Sequence, residues 1–117
     1  MQLVYSLVSC AKIMRLYHNP RCSKSRKAVA LLEEKGVEFE TYLYLKQGID
    51  TEDMSVLINL EGIIRVNDLE QKADLENPEI VKKLLEENPK LLQRPILISN
   101  AQAVIGRPPE EILELLG

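Results

Sequence analysis

The sequence predicts a small α/β domain with one mixed β-sheet flanked by helices. The prediction depends on the order of the elements. A buried strand is followed by a helix and a second strand, several helices come next, and two short apolar strands precede a final helix. The 117 residues suffice for one compact domain and are too few for two of ordinary size. The expected order is therefore βαβ, then a helical insert, then ββα.

The first part of the chain predicts the βαβ unit. Residues 13–18 are largely apolar and end at a proline turn, which indicates a buried strand. Across residues 23–35 apolar side chains recur at helical spacing, and Gly36 supplies the stop. Residues 37–45 alternate with period two, which predicts a second strand. Two strands joined in this way pair in parallel through a right-handed crossover.

Helices dominate the middle of the chain. Asp50 is expected to cap one helix, which ends at Gly62. Asn77 is expected to cap another, in which a proline takes the first helical position. The charged stretch 63–76 between them predicts at most one short helix, around residues 67–72.

The last part of the chain predicts a hairpin and a terminal helix. Apolar residues 96–98 and 103–105 form two strands that turn at Asn100, and the prolines at 108–109 open the helix. The whole order suggests a thioredoxin-like fold. In that fold a reactive cysteine sits after the first strand, at the start of the first helix, and Cys22 has that place here.

Composition excludes several classes of function. Hydrophobic residues make up 45% of the chain and charged residues 28%, which is typical of a soluble globular protein. The net charge of −3 gives no reason to expect nucleic acid or an anionic membrane as a partner. Two cysteines and one histidine are too few soft ligands for a structural zinc site. We therefore expect no metal and no bound cofactor.

The N-terminal residues differ from the rest. Residues 1–13 are apolar but lack the basic start and the cleavage site of a signal peptide. We interpret them as an N-terminal extension, with a single domain at 14–117, and no apolar run approaches the roughly 20 residues of a membrane span. The cytoplasm is the expected compartment, where a free thiol stays reduced.

Cys22 is the candidate nucleophile. A thiol reacts as thiolate, and both a helix N-terminus and nearby cations favour that form. Arg21, Lys24 and Arg26 supply the cations, and His18 adds another charge when it is protonated. We predict a lowered pKa for the Cys22 thiol. The alternative, a small buried apolar cysteine, fits poorly among a turn proline and basic residues.

The same place predicts an oxyanion site. Free N–H groups at the start of a helix, together with the Ser23 and Ser25 hydroxyls and the Arg26 side chain, form a cradle for an anion. Arg94 and Arg107 each precede a proline at an end of the predicted hairpin, so their backbones are held firmly. A solvated surface arginine is the alternative for each. We expect Pro95 to be structural, and a cis Arg94–Pro95 bond fits this placement.

Four segments together resemble the glutaredoxin-coupled arsenate reductase family. They are YHNPRCSKSR (17–26), YLYL (42–45), RPILI (94–98) and VIGRPPE (104–110), and the resemblance extends over about residues 14–116. It implies a cytoplasmic enzyme that reduces arsenate to arsenite. The thiolate attacks arsenate to form a covalent adduct, glutathione forms a mixed intermediate, and glutaredoxin supplies the electrons.

The resemblance also implies roles for single residues. Cys22 is the nucleophile, the arginines at 94 and 107 hold the oxyanion, and His18 helps to keep the thiol ionised. One catalytic thiol suffices because soluble glutathione resolves the adduct, so C-x-x-S in place of C-x-x-C is expected. Cys10 is an alternative resolving thiol.

One segment departs from the family pattern. Members of the family carry a further active-site arginine in the middle segment, in a pattern like L-R-K. We expect Glu70 or Gln71 to occupy its place here, with Arg65 and Lys72 nearby. Two other functions remain open: a glutathione-dependent thiol reductase with a substrate other than arsenate, and a non-catalytic regulator that binds RNA polymerase, similar to Spx.

Overall fold

The computed structural model describes residues 14–116, so the extension predicted at 1–13 lies outside the described residues. It contains a four-stranded sheet in the order β2-β1-β3-β4. The strands are β1 (Met14–Tyr17), β2 (Phe39–Tyr42), β3 (Ile96–Ser99) and β4 (Gln102–Ile105). β1 pairs in parallel with β2 and antiparallel with β3, which pairs antiparallel with β4. The predicted mixed sheet and hairpin are confirmed.

Helices connect the strands. The α-helices are α1 (Ser23–Glu34), α2 (Tyr44–Gln47), α3 (Thr51–Leu57) and α4 (Pro78–Glu87). Short 3₁₀ helices occupy Val66–Asp68 and Pro89–Leu91, and a longer one occupies Pro109–Leu116. The terminal helix predicted from the prolines is this 3₁₀ helix. Within residues 14–116 no helix has both the length and the apolar character needed to cross a membrane.

The sheet has a hydrophobic core on each face. Period-two alternation along β1 places Leu16 on one face and Tyr17 on the other, and both are fully buried. The Leu16 face packs against α1 and the C-terminal 3₁₀ helix, where Ile112 is fully buried. The Tyr17 face packs against α3, α4 and the segment between them. This three-layer arrangement is the predicted α/β architecture.

Two predicted helix caps are present. The Asp50 carboxylate accepts a hydrogen bond from the backbone N–H of Glu52, and the Asn77 side chain accepts one from Glu79. Both acceptors satisfy N–H groups that the first turn of a helix leaves without a partner. At the hairpin turn Asn100 and the residue after it adopt positive φ, as a tight turn between two strands requires.

The second strand is shorter than predicted. Residues 37–45 were expected to be extended, but β2 ends at Tyr42 and α2 begins at Tyr44. Leu43 leaves the extended conformation with ψ of 77°, and its carbonyl then accepts hydrogen bonds from the next turn. The early end of β2 turns the Tyr44 ring into the core, where its centroid lies 6.0 Å from that of Tyr17.

A polar cluster holds α3 against the sheet. The Arg15 guanidinium lies 2.6 Å from Glu40, 2.7 Å from Asp50 and 3.0 Å from Asp53. The buried Tyr17 hydroxyl donates to Asp53 at 2.7 Å. Because Asp50 and Asp53 belong to the start of α3, these contacts fix that helix to β1.

The strand register places four connections at one edge of the sheet. Tyr17, the last residue of β1, lies beside Tyr42 at the end of β2 and opposite Ile96 at the start of β3. Ile96 also lies opposite Ile105, the end of β4. The residues that follow β1, β2 and β4 therefore meet the residues that precede β3.

Gly106 makes a close contact at this edge. Its N–H donates to the Pro95 carbonyl at 2.8 Å. A Cβ added there would lie 2.8 Å from Pro95 Cγ and 2.9 Å from Ile112 Cγ2. Neither neighbour is the end of a flexible side chain, so a larger residue must displace the Pro95 ring or the terminal helix.

We predict that Gly106→Ala lowers the free energy of unfolding by about 1–3 kcal/mol through this overpacking, measured by urea denaturation. Gly62→Ala is the control, because Gly62 has open space around its Cα but a φ of +77°. Its cost of about 1–2 kcal/mol comes from the backbone alone. Only Gly106→Ala should also slow alkylation of Cys22. Wild-type stability and thiol reactivity in Gly106→Ala would contradict the contact.

Candidate active site

Cys22 is the N-cap residue of α1. Its backbone is extended, with φ of −92° and ψ of 123°, and its N–H donates to the Asn19 carbonyl at 2.9 Å. The Cys22 carbonyl accepts the first hydrogen bond of the helix, from Arg26 N–H at 3.0 Å. The half-buried thiol thus faces the N–H groups that the first turn leaves free.

These surroundings lower the pKa of the Cys22 thiol. Burial acts in the opposite direction and raises the pKa, since it disfavours the charged form. The backbone N–H of Ser25, the Arg94 guanidinium and the backbone N–H of Lys24 all stabilise the thiolate, and together they outweigh burial. The lowered pKa predicted from the sequence has this cause, with Arg94 as the contributing cation.

His18 and Ser25 fix the turn that carries the thiol. The Ser25 hydroxyl is fully buried, lies 2.7 Å from His18 Nδ1 and accepts a hydrogen bond from Asn19 N–H at 3.0 Å. Burial and the charge of Arg26 lower the pKa of His18, so its ring is neutral near pH 7. His18 Nδ1 can then accept a hydrogen bond from the Ser25 hydroxyl. The Ser25 hydroxyl is therefore hydrogen-bonded to His18 and Asn19 within the turn. The group of Ser25 that interacts with the Cys22 thiol is its backbone N–H.

Arg26 lies on the exposed side of α1. Its Nη1 donates to the Pro20 carbonyl at 2.9 Å, which closes the turn from outside. Its charge acts on His18, whereas Arg94 is the cation that acts on the thiol. The hydrogen bond to Pro20 accounts for the difference, because it holds the Arg26 guanidinium on the outer side of the turn.

Arg94 and Arg107 lie together at the crowded sheet edge. Arg94 precedes β3 and Arg107 follows β4, and Arg107 Nε donates to the Arg94 carbonyl at 3.0 Å. The bonds from these arginines to Pro95 and Pro108 are both cis, as expected for the first of them. The Arg94 guanidinium lies beside the Cys22 thiol, at the position that the sequence predicted for it.

The middle segment contributes Arg65. Residues 63–65 run alongside 91–93, with hydrogen bonds from Arg65 N–H to Leu91 and from Gln93 N–H to Ile63 at 2.7 and 2.8 Å. This pairing places Arg65 next to the strand that Arg94 begins. Arg65 Nε lies 2.7 Å from the carboxylate of Asp68, one turn further on.

The expectation for this segment is corrected accordingly. Glu70 and Gln71 were expected to take the place of the further arginine, but both are exposed and line a separate surface hollow with α4. Spacing along the sequence did not show which residues of this loop lie near Arg94. The pairing of 63–65 with 91–93, which no local pattern reveals, instead brings Arg65 within electrostatic range of Tyr44.

Tyr44 is a further residue that the sequence did not indicate. It is fully buried and follows β2 at the same edge. Burial raises the pKa of its hydroxyl, the charge and the close side-chain contact of Arg94 and the charge of Arg65 oppose the rise, and the Cys22 thiolate adds to it. The hydroxyl therefore lies within electrostatic range of all three groups. The sequence gave no sign of this, because residues 37–45 read as one strand.

A cleft of about 630 Å³ opens beside the thiol turn. Its cationic lining residues are Arg21, Lys46, Lys90 and Arg94, and Asp68 is its acidic one. An anion entering the cleft meets mainly positive charge, despite the negative net charge of the chain. Residues 14–116 contain no cluster of side chains suited to holding a metal ion.

We predict that the rate of Cys22 alkylation by iodoacetamide rises with pH around a midpoint below the ordinary thiol pKa, because the thiolate is stabilised. Arg94→Gln should raise the midpoint by about one pH unit or more. Arg21→Gln is the matched control, since Arg21 neighbours Cys22 in sequence but is not among the main causes of its lowered pKa. Equal midpoints for the two variants would contradict the assignment of Arg94.

The chain is similar in sequence and in fold to several known proteins. The Escherichia coli protein YfgD is 41% identical over 91% of this chain and 98% of its own length. An arsenate reductase of Neisseria meningitidis is 37% identical over 88% of this chain and 97% of its own. The solved arsenate reductase from Vibrio cholerae superposes with a TM-score of 0.70 at 32% identity, over 89% and 98% of the two chains.

The chain is also similar in sequence to proteins named as regulators. The regulatory protein MgsR of Bacillus subtilis is 30% identical over 87% of this chain and 89% of its own length. Residues 17–115 match the ArsC family as a whole. The chain therefore belongs to the ArsC family and has its thioredoxin-like fold.

Proposed function

We propose that this protein reduces arsenate to arsenite, with Cys22 as the nucleophile. The observation that carries the proposal is the stabilised thiolate, which lies beside Arg94, whose carbonyl accepts a hydrogen bond from Arg107. Relatives named arsenate reductase, 37% identical to this chain, support an oxyanion as the substrate.

The first step is attack of the Cys22 thiolate on the arsenic atom. A sulfur–arsenic bond forms, and an oxygen of arsenate leaves as water after taking up protons. Negative charge stays on the other oxygens, where the N–H groups of Lys24 and Ser25 and the guanidinium groups of Arg94 and Arg107 stabilise it. His18 holds the turn through Ser25 and is neutral, so it does not repel the cations.

Two further thiols complete the reduction. Conversion of As(V) to As(III) takes up two electrons, and oxidation of two thiols to one disulfide supplies them. The balance is arsenate plus two thiols to arsenite, one disulfide and water. Cys22 is the free cysteine within the described residues, so both thiols come from outside the site. We assign them to glutathione and glutaredoxin, which places the protein in the cytoplasm.

Two other functions make different predictions. A glutathione-dependent thiol reductase with another substrate would keep the activated Cys22 but show no arsenate turnover. A regulator would bind RNA polymerase without catalysis, and the similarity to MgsR is the observation in its favour. Ser25, at the second position of a C-x-x-C pair, leaves this chain without the usual redox switch of such regulators.

We predict arsenate-dependent NADPH oxidation in an assay coupled through glutathione, glutaredoxin and glutathione reductase. Cys22→Ser should reduce the rate to background, because serine is not ionised near pH 7 and is a poor nucleophile. Cys10→Ser is the matched variant. It should retain turnover if soluble glutathione resolves the adduct, and loss of turnover would assign that step to Cys10.

The outcomes separate the candidate functions. No turnover by wild type, with Cys22 still alkylated rapidly below pH 7, would contradict arsenate reduction and favour another substrate. An unreactive Cys22, together with copurification of RNA polymerase, would favour the regulator.

A further inference from the structure

Two buried side-chain polar atoms lack a hydrogen-bond partner in the part of the chain that the structure describes. They are the Tyr44 hydroxyl and Nε of Arg94. Buried polar groups in folded proteins are nearly always hydrogen-bonded, so each exception needs a reason. Both atoms belong to the sheet edge that carries Cys22, and no such atom occurs elsewhere in residues 14–116.

Arg65 and Arg107 each have the hydrogen-bond acceptor at Nε that Arg94 lacks. Arg65 Nε is held by Asp68 at 2.7 Å, and Arg107 Nε is held by the Arg94 carbonyl at 3.0 Å. An acceptor at Nε fixes the plane of a guanidinium and leaves its terminal N–H groups for a ligand. Arg94 is the arginine nearest the thiol, yet its Nε has no acceptor.

Tyr44 is the acceptor within reach. Its side chain is fully buried, and its hydroxyl oxygen has no other partner. The nearby carboxylate of Asp68 is already paired with Arg65. The ring of Tyr44 packs against Tyr17, and its hydroxyl lies close to the Arg94 side chain.

We propose that Tyr44 is a positioning residue of the oxyanion site. When an oxyanion binds beside Cys22, Arg94 turns toward it, and the Tyr44 oxygen accepts a hydrogen bond from Arg94 Nε–H. The guanidinium is then fixed with its terminal N–H groups on the anion. This inference rests on the proposed function of the site. The unpaired atoms destabilise the empty site and become paired on binding, which favours the complex.

The test is Tyr44→Phe, which keeps the ring and removes the hydroxyl. Binding of arsenate, phosphate and sulfate is measured by calorimetry in a Cys22→Ser background, and unfolding temperature is measured without ligand. We expect oxyanion affinity to fall about tenfold, as for loss of one hydrogen bond to a charged group. The unfolding temperature should equal or exceed that of the parent protein, because an unpaired buried hydroxyl is gone.

Tyr42→Phe is the matched control. The Tyr42 hydroxyl donates to the Gly48 carbonyl at 2.9 Å. Removal of the Tyr42 hydroxyl should lower the unfolding temperature and leave oxyanion affinity unchanged. Tyr44→Phe is expected to do the reverse, lowering affinity without lowering the unfolding temperature. With Cys22 intact, Tyr44→Phe should raise the KM for arsenate about tenfold and change kcat little.

The outcomes distinguish this inference from the proposed function. Normal oxyanion affinity and normal KM in Tyr44→Phe, or a fall in stability with no change in binding, would overturn the role of Tyr44 and leave arsenate reduction standing. Weaker phosphate and sulfate binding in Tyr44→Phe, without arsenate turnover by wild type, would support the role of Tyr44 and overturn the proposed function.

Discussion

The register between the first and third strands is the constraint on which the site depends. Because Tyr17 lies opposite Ile96, the turn that carries Cys22 meets the two residues that precede β3, which are Arg94 and Pro95. The parallel pairing with β2 brings Tyr44 to the same edge. A slip of one residue would exchange the two faces of a strand and separate the thiol from its cation. Fully buried side chains on both faces of β1 oppose such a slip.

The electrostatics of the site are local. The chain as a whole is negative, yet the charged side chains that line the cleft beside the Cys22 turn are mostly positive. Burial alone would keep the thiol protonated, and the opposing contributions of the helix N–H groups and Arg94 decide the outcome. The same donors that stabilise a thiolate can stabilise the oxygens of an anion that replaces its charge. Under the proposed function, one arrangement thus serves both the nucleophile and its substrate.

The sequence revealed the parts of the site that depend on local pattern. Cys22 follows from a strand, a turn and a helix start, and Arg94 follows from its proline at a strand end. Arg65 and Tyr44 could not be found in this way. Arg65 reaches the site through pairing between 63–65 and 91–93, which are distant in sequence. Tyr44 reaches it because β2 ends early, and the alternation of residues 37–45 predicted a strand that tertiary packing shortens. The architecture was easier to predict, since buried strands and capped helices leave strong periodic signals.

The central claim is that Cys22 attacks an oxyanion held by Arg94, and a crystal structure of the wild-type protein soaked with arsenate tests it most directly. The account predicts arsenic bonded to Cys22 Sγ, with its oxygens facing Arg94 and the N–H groups of Lys24 and Ser25. The same crystal should show the Tyr44 hydroxyl paired with Arg94 Nε. Arsenate bound away from Cys22, or a free thiol at saturating arsenate, would contradict it.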